Sequence, residues 1–94
     1  MAYAFSLLTP EGEAFSGDVE CVVVPGAAGF FGVLAGHAPM LAAVQHGILA
    51  VTTEEGRREY LIEDGVLETD GTKCLLLCDN VRDRNDDDNP VLSW

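Results

Sequence analysis

The chain has 94 residues, is 48% hydrophobic and carries a formal net charge of −11. A chain of this length forms one domain with a small core, and its hydrophobic fraction excludes a disordered protein. Its five Lys and Arg residues are too few for the basic clusters that nucleic acid or anionic lipid would require.

Apolar and polar residues alternate with a period of two along most of the chain, which predicts β-strands. In chain order the alternating runs are residues 3–7, 19–23 and 57–63, and a β-branched run at 48–53 predicts a further strand. Turn signals separate these runs at residues 9–12, 16–18, 25–26, 54–56, 64–65 and 70–71. The last two are Asp-Gly pairs, which are typical of short hairpins. Many short strands with frequent turns predict an antiparallel sandwich or flattened barrel.

Residues 29–41 are apolar but are interrupted by three glycines and a proline, so they cannot form one regular element. The large apolar side chains of this segment are Phe30, Phe31, Val33, Leu34, Met40 and Leu41. Contiguous apolar surface on such a domain marks a partner site. Alternatively, the same side chains fold inward and close one end of the sandwich, and both interpretations can hold for different residues.

The run from Cys74 to Cys78 is apolar on both faces, which predicts a central strand or one that a partner covers. On a strand these two cysteines would lie about 13 Å apart, which is too far for a disulfide. We therefore expect the three thiols to be small core residues in a reducing, cytoplasmic setting. No apolar run approaches the ~20 residues that cross a bilayer, and the N-terminus has no signal-peptide or transit-peptide pattern.

Candidate chemistry is sparse, and we predict no catalytic residue, no metal site and no cofactor. The acidic run that starts at Asp83 has the beginning of an EF-hand loop, but Asp88 stands where the loop needs Gly and Trp94 where it needs Glu. The chain has neither a nucleophile elbow nor a phosphate-binding glycine loop. We interpret His37 as a structural histidine bonded to a backbone carbonyl in an irregular turn, and His46 as an exposed turn residue.

Two motifs point to a known family. FSGxVExVxVPG at residues 15–26 and GxxGVxxGHAPML at residues 29–41 closely resemble the N-terminal domain of the epsilon subunit of F-type ATP synthases. The similarity extends from about Phe5 to Asp79. It implies a flattened β-sandwich of about ten short antiparallel strands, in agreement with the strand pattern.

The resemblance also implies a function and two contact surfaces. In that family the domain is a non-catalytic subunit at the foot of the central stalk, where one face packs on the gamma subunit and one end touches the loops of the c-ring. The gamma-facing positions correspond to Thr9, His37 and Ala42, with Met40 and Leu41 adding apolar area. The ring-facing tip corresponds to Gly29, Phe30, Phe31 and Gly32. Because Phe30 replaces an acidic residue that is common there, we expect an apolar contact with the ring.

We expect the sandwich domain to span residues 1–81, and residues 82–94 to form a solvated acidic tail from which Val91, Leu92 and Trp94 can dock back. The family continues into a helical hairpin, whereas this sequence has no helix-forming segment after Asp79. The sequence is then either that of a naturally short subunit, which the turn-forming residues 86–94 favour, or that of a truncated one. In either case we expect a stalk subunit that couples ion flow to ATP synthesis without a helical brake or ATP binding. It would lie on the cytoplasmic side of a bacterial inner membrane as a peripheral subunit. The alternatives are a free-standing β-sandwich adapter and, more remotely, an enzyme centred on His37.

Overall fold

The computed structural model describes residues 1–84, which contain ten strands and no helix. In chain order the strands are β1 (Tyr3–Thr9), β2 (Gly12–Val19), β3 (Cys21–Gly26), β4 (Gly29–Leu34), β5 (Met40–Val44), β6 (Gly47–Thr53), β7 (Gly56–Ile62), β8 (Gly65–Thr69), β9 (Lys73–Cys78) and β10 (Val81–Asp83). Because this part of the chain has no helix, it also has none long and apolar enough to cross a membrane.

All ten strands belong to one sheet in the order β10-β7-β6-β3-β5-β8-β9-β1-β2, with β4 paired to β3 outside this path. The two halves of the sheet join through a single residue pair, Gly26 on β3 and Val44 on β5. At the far ends, the ring of Phe15 on β2 meets the ring of Tyr60 on β7 edge-on at 6.4 Å between centroids. The sheet is thus folded over on itself, which confirms the predicted ten-stranded all-β sandwich.

One strand pair departs from the predicted antiparallel arrangement, because β1 lies parallel to β9. The hairpin from β8 sets the direction of β9, and no short turn connects β9 to β1. Their relative direction is therefore free of the constraint that a hairpin imposes.

The core lies between the two halves of the sheet. Its largest fully buried side chains are Phe5, Leu7, Leu49, Ile62, Leu67 and Leu76. The predicted inward face of β1, with Tyr3, Phe5 and Leu7, is confirmed. All three cysteines are free, and burial raises the pKa of Cys74 and Cys78 to about 11, so both remain protonated at neutral pH. Cys74 and Cys78 are thus inert core residues, as predicted, whereas the prediction is wrong for Cys21, which is half-buried and lies outside the core cluster.

The predicted alternation over residues 19–23 is broken, because β2 ends at Val19 and β3 begins at Cys21. The backbone N–H of Glu20 donates to the carbonyl of Thr52 at 2.7 Å, and the chain changes partners there, from β1 to β4 and β6. The inward positions after this break are Val22 and Val24, rather than Cys21 and Val23.

Two of the predicted turns lie inside strands, since residues 16–18 belong to β2 and residues 25–26 belong to β3. The turn that connects β3 to β4 is instead Ala27–Ala28. The Asp-Gly pair at 70–71 does form a hairpin, between β8 and β9. The pair at 64–65 does not, because β7 and β8 belong to different halves of the sheet.

The last strand carries the sheet two residues past the predicted domain end at 81. Asp83 forms an ion pair with Arg58 at 2.7 Å, and Arg84 pairs with Glu59 at 3.2 Å. The backbone pairing of β10 with β7, together with these ion pairs, places residues 82–84 on the sandwich, where the predicted tail was to begin. The predicted docking of Val91, Leu92 and Trp94 lies outside the described residues.

Candidate interaction surfaces

The outer surface of β5, β8, β9 and β1 is largely apolar. One row of directly paired residues crosses all four strands: Ala43, Val66, Leu77 and Leu8. A second row contains Leu41, Glu68, Leu75 and Ser6. Directly paired residues lie on the same face of a sheet, and the alternate residues of these strands point into the core. We call this surface, made of Leu8, Leu41, Ala43, Val66, Leu75 and Leu77, the β8–β9 face.

The β8–β9 face has several exposed apolar side chains close together, rather than one isolated exposed side chain. Leu41 is 72% exposed, Leu77 49% and Val66 44%. Glu68 lies between Leu41 and Leu75 and is the charged group within the second row. A contiguous exposed surface of this kind is typical of a partner site.

The five predicted gamma-facing residues do not form one cluster. Leu41 lies on the β8–β9 face, but its neighbours Met40 and Ala42 point the opposite way and are half-buried. Met40 packs against the core, and Ala42 pairs with the core residue Leu67. Strand alternation separates them from Leu41.

Thr9 and His37 lie near opposite ends of β9. Thr9 borders a shallow groove beside Val66 and Leu77 at one end. His37 lies at the other end, where the N–H of Gly36 donates to the carbonyl of Gly71 at 3.2 Å. The five residue steps of β9 separate these ends by about 17 Å. The two residues therefore bracket the face rather than share one contact point.

The two histidines have the surroundings that the sequence predicted for them. Nδ1 of His37 lies 2.7 Å from the carbonyl oxygen of Ala38, as expected for a structural histidine in an irregular loop. His46 is exposed next to Gly47, as predicted. Within residues 1–84, no three His, Cys, Asp or Glu side chains are grouped so that they could hold a metal ion.

The tip predicted to face the ring is the β3–β4 hairpin. Gly29 pairs with Gly26 across the Ala27–Ala28 turn and has a φ of +126°, which favours glycine. A Cβ at Gly26 would lie 2.7 Å from the ring of Phe31, so this position also requires glycine.

The two phenylalanines of this tip have different surroundings. Phe31 is half-buried and packs against the core, whereas Phe30 is 70% exposed. Gly32, which follows them, is also exposed. Phe31 and Val33 point inward, as the inward interpretation predicted, whereas Phe30 and Leu34 point outward and are exposed, so the partner site remains a prediction for them.

Sequence reasoning did not find most of the β8–β9 face. Leu75 and Leu77 carried a signal, because the run 74–78 is apolar in both phases and was expected to be a central strand or one that a partner covers. The predicted hairpin at 70–71 placed β8 beside β9, but nothing in the local sequence showed that Leu8 would lie on the other side of Leu77. That side of the row arises from the pairing of β9 with β1, which is long-range.

A ten-stranded sandwich with an apolar outer face and an apolar hairpin tip defines a small β-sandwich domain suited to contacts with other proteins. The sequence model of the family described as the ATP synthase, delta/epsilon chain, beta-sandwich domain matches residues 2–83. The chain belongs to this family, and the resemblance drawn from the two motifs is confirmed.

Curated relatives and solved structures agree with this assignment. The chain is 44% identical to the ATP synthase epsilon chain of Rhodopseudomonas palustris strain TIE-1 over 77 residues, which are 82% of this chain and 57% of that one. The same identity and coverage apply to the ATP synthase epsilon chain of Afipia carboxidovorans. This chain thus spans little more than half the length of these relatives.

Two solved structures show the same fold. One is a chain of the Euglena gracilis mitochondrial ATP synthase, with a TM-score of 0.83 and 21% identity over 89% of this chain and 54% of that chain. The other is a chain of the Tetrahymena thermophila mitochondrial ATP synthase central stalk and c-ring, with a TM-score of 0.78 and 12% identity over 99% of this chain and 75% of that chain.

Proposed function

We propose that this chain is a rotor-stalk subunit of an ATP synthase that joins a gamma subunit to the membrane c-ring and couples ion flow to ATP synthesis. The observation that carries the proposal is the exposed apolar β8–β9 face on a domain of the delta/epsilon family. In this role the chain is not an enzyme and needs no cofactor. Because the relatives are bacterial, we assign it to the cytoplasmic side of the inner membrane, as a peripheral subunit.

The β8–β9 face is the surface that we assign to gamma. Its two rows cross four strands, about 14 Å at the usual strand spacing of ~4.8 Å. Apolar anchors at the centre of such a surface carry most of the binding energy, and Leu41 is the most exposed of them. Glu68, between Leu41 and Leu75, would select a partner with a cation or a hydrogen-bond donor at that point. Thr9 and His37 then mark the two ends of the contact, while Met40 and Ala42 support Leu41 from beneath.

The tip of the β3–β4 hairpin is the surface that we assign to the c-ring. Gly29 and Gly32 keep the hairpin narrow, and Phe31 anchors it in the core. Phe30 is then the side chain left to contact the ring loops, and its contact is apolar. A sheet closed on itself by packing such as Phe15 on Tyr60 is a stiff link, which suits a part that transmits torque.

Titration of the purified chain with the gamma subunit of the same synthase tests this proposal. Leu41→Asp places a charge where an anchor is buried, and loss of an anchor costs about 2 kcal/mol, or a roughly thirtyfold rise in Kd. Leu34→Asp is the matched control, because Leu34 is also an exposed strand leucine, at 61%, but lies on β4. An unchanged Kd for Leu41→Asp, or an equal loss for both variants, would contradict the assignment.

A free-standing adapter that binds another protein through the same face is the second candidate. It is supported by the same exposed leucines and differs in the partner. Mass spectrometry of the complex isolated with the tagged full-length chain separates the two. Recovery of gamma and c subunits supports the stalk subunit, and their absence beside a different stoichiometric partner supports the adapter.

A further inference from the structure

The edge strands of the sheet differ in how well they are protected against pairing with a further strand. Among residues 1–84, β2, β4 and β10 each have a partner strand on one side only. β2 contains Glu13 and Asp18 and has an irregular register with β1. β10 is three residues long and contains Arg82 and Asp83. Charge, irregularity and short length are the features that keep an edge strand from pairing with another chain.

The edge strand β4 has none of these protections. Its six residues, Gly29–Leu34, contain no charged residue and no proline, and they pair with β3 without a shift of register. Phe30 and Leu34 are 70% and 61% exposed. A regular, uncharged and apolar edge is a template on which another strand can form.

The hydrogen bonds near the β3–β4 turn show which backbone groups of β4 face this open edge. The N–H of Gln45, directly after β5, donates to the carbonyl of Pro25 at 2.9 Å, so the backbone groups of Pro25 face β5. Successive residues of a strand direct their N–H and C=O groups to opposite edges. The groups of Gly26 therefore face β4, where Gly26 pairs with Gly29. The groups of the next residue, Phe30, then point away from β3.

The same alternation places the backbone groups of Phe30, Gly32 and Leu34 at the open edge. The carbonyl of Leu34 agrees with this assignment, because it accepts a hydrogen bond from the N–H of His37 at 3.1 Å, outside the ladder with β3. A strand added to β4 would therefore pair with Phe30, Gly32 and Leu34.

A second copy of β4 presents matching groups to this edge. In an antiparallel alignment centred on Gly32, Gly32 lies opposite its own copy and Phe30 lies opposite Leu34 of the second copy. The residues that face each other are those whose backbone groups point to the edge, so the new ladder is in phase. The two exposed side chains cover each other on the outer face, and Phe31 meets Val33 on the inner face. Such a contact is symmetric about a twofold axis.

Charge distinguishes β4 from other surfaces through which two copies could meet. The chain has a net charge of −11 from 16 Asp and Glu residues, so most contacts between copies would bring like charges together. β4 has no charged residue, and the alignment on Gly32 places none opposite another. Added salt screens the remaining long-range repulsion between the copies and leaves apolar burial intact. Pairing through β4 should therefore strengthen with salt.

We propose that two copies of this chain pair through β4, antiparallel about Gly32, so that their sheets become continuous. Phe30 is also the side chain that we assign to the c-ring, so the dimer and the ring contact exclude each other. The dimer is thus a state of the chain outside the complex, in which Phe30 and Leu34 are covered. It does not depend on the partner assigned to the β8–β9 face.

Sedimentation velocity of the full-length chain over a concentration series tests the proposal. We expect a monomer–dimer equilibrium whose Kd falls as NaCl is raised from about 20 to 500 mM. Gly32→Pro removes the N–H at the centre of the contact and should raise this Kd at least about tenfold. That N–H faces away from β3 and the φ of Gly32 is not positive, so the β3–β4 hairpin is retained. Gly32→Ala keeps the N–H and is the matched control, with an unchanged Kd.

A second pair of variants tests the side chains and does not require Gly32→Pro to fold. Phe30→Ser removes apolar area from the contact and should also raise the Kd. Leu41→Ser is its control, because Leu41 is equally exposed, at 72%, but lies on the β8–β9 face. Circular dichroism checks that each variant is folded.

A wild-type chain that stays monomeric at every concentration and salt would overturn the proposal. A dimer that a folded Gly32→Pro variant leaves intact would also overturn it, because the β4 edge would not be the contact. The same holds for a dimer that Leu41→Ser weakens as much as Phe30→Ser, or that weakens as salt is added.

Discussion

Gly65 is a position where a single added methyl group should destabilise the fold. A Cβ at Gly65 would overlap the carbonyl oxygen of Leu77 and lie 2.8 Å from the Cα of Cys78. Both contacts are to backbone, so a side-chain rotation cannot relieve them and β8 must move away from β9. Overpacking of this kind costs ~1–3 kcal/mol, and a backbone clash puts Gly65→Ala at the upper end, near 3 kcal/mol. That is a large fraction of the 5–15 kcal/mol that stabilises an ordinary domain.

Urea unfolding of the full-length chain measures this effect. With an m-value of about 1 kcal/mol/M, typical of a small domain, Gly65→Ala should lower the midpoint by about 3 M. Gly32→Ala is the matched control, because the nearest atom to its added Cβ is 3.9 Å away and Gly32 lies in an exposed, ordinary strand conformation. There the loss of unfolded-state entropy should stabilise the fold by about 0.4–1 kcal/mol. A midpoint for Gly65→Ala equal to that of wild type, or equal destabilisation by both variants, would refute the steric argument.

Two further predictions concern the hairpin tip and the Asp70 turn. If Phe30 contacts the c-ring through apolar burial, association with the ring should be nearly independent of ionic strength, whereas Phe30→Glu should make it salt-dependent. Cosedimentation with vesicles that contain the c-ring, at low and high salt, measures this association. Salt dependence in the wild-type chain would contradict the apolar contact. The carboxylate of Asp70 accepts hydrogen bonds from the N–H groups of Thr72 and Lys73 and from the Thr72 hydroxyl, which lower its pKa to about 2. Because this folded-state pKa is below the ordinary value of 3.8, the stability that the turn contributes is fully present above about pH 4 and is lost as the pH falls towards 2. Asp70→Ala should therefore unfold at lower urea than wild type at pH 7 but together with it near pH 2, and a difference that does not change with pH would exclude this source of stability.

Much of the fold could be predicted because local pattern and tertiary packing agree. The alternation through Tyr3, Phe5 and Leu7 identified both a strand and its inner face. The Asp-Gly pair at 64–65 shows why other features could not be predicted. The same dipeptide suits a hairpin and a close backbone contact, and only the pairing of Gly65 with Cys78, thirteen positions away, decides between them.

The candidate site was predicted less well for a related reason. Residues 35–39 interrupt the strand pattern, so the phase of β5 cannot be read from that of β4. Met40 and Leu41 are both large and apolar, and their sequence does not reveal which one faces out. In the structure it is Leu41. The apolar run 74–78 indicated that a cover was needed, but not which of its residues would be covered by a partner and which by the core.

The two proposed contact surfaces, the β8–β9 face and the β3–β4 hairpin tip, together explain how a small domain can hold a single orientation between two partners. A rotor link that docks in two ways would not transmit torque in a defined direction, so each partner needs a surface of its own. In our proposal the β8–β9 face is the surface for gamma, and the exposed leucine Leu41 is its main anchor. The hairpin tip with Phe30 belongs to β4, outside the strands of the β8–β9 face, and so the contact with the ring can form without competing for the gamma surface. Orientation is then set by which apolar residues the core covers, Phe31 and Met40, as much as by those that stay exposed, Phe30 and Leu41.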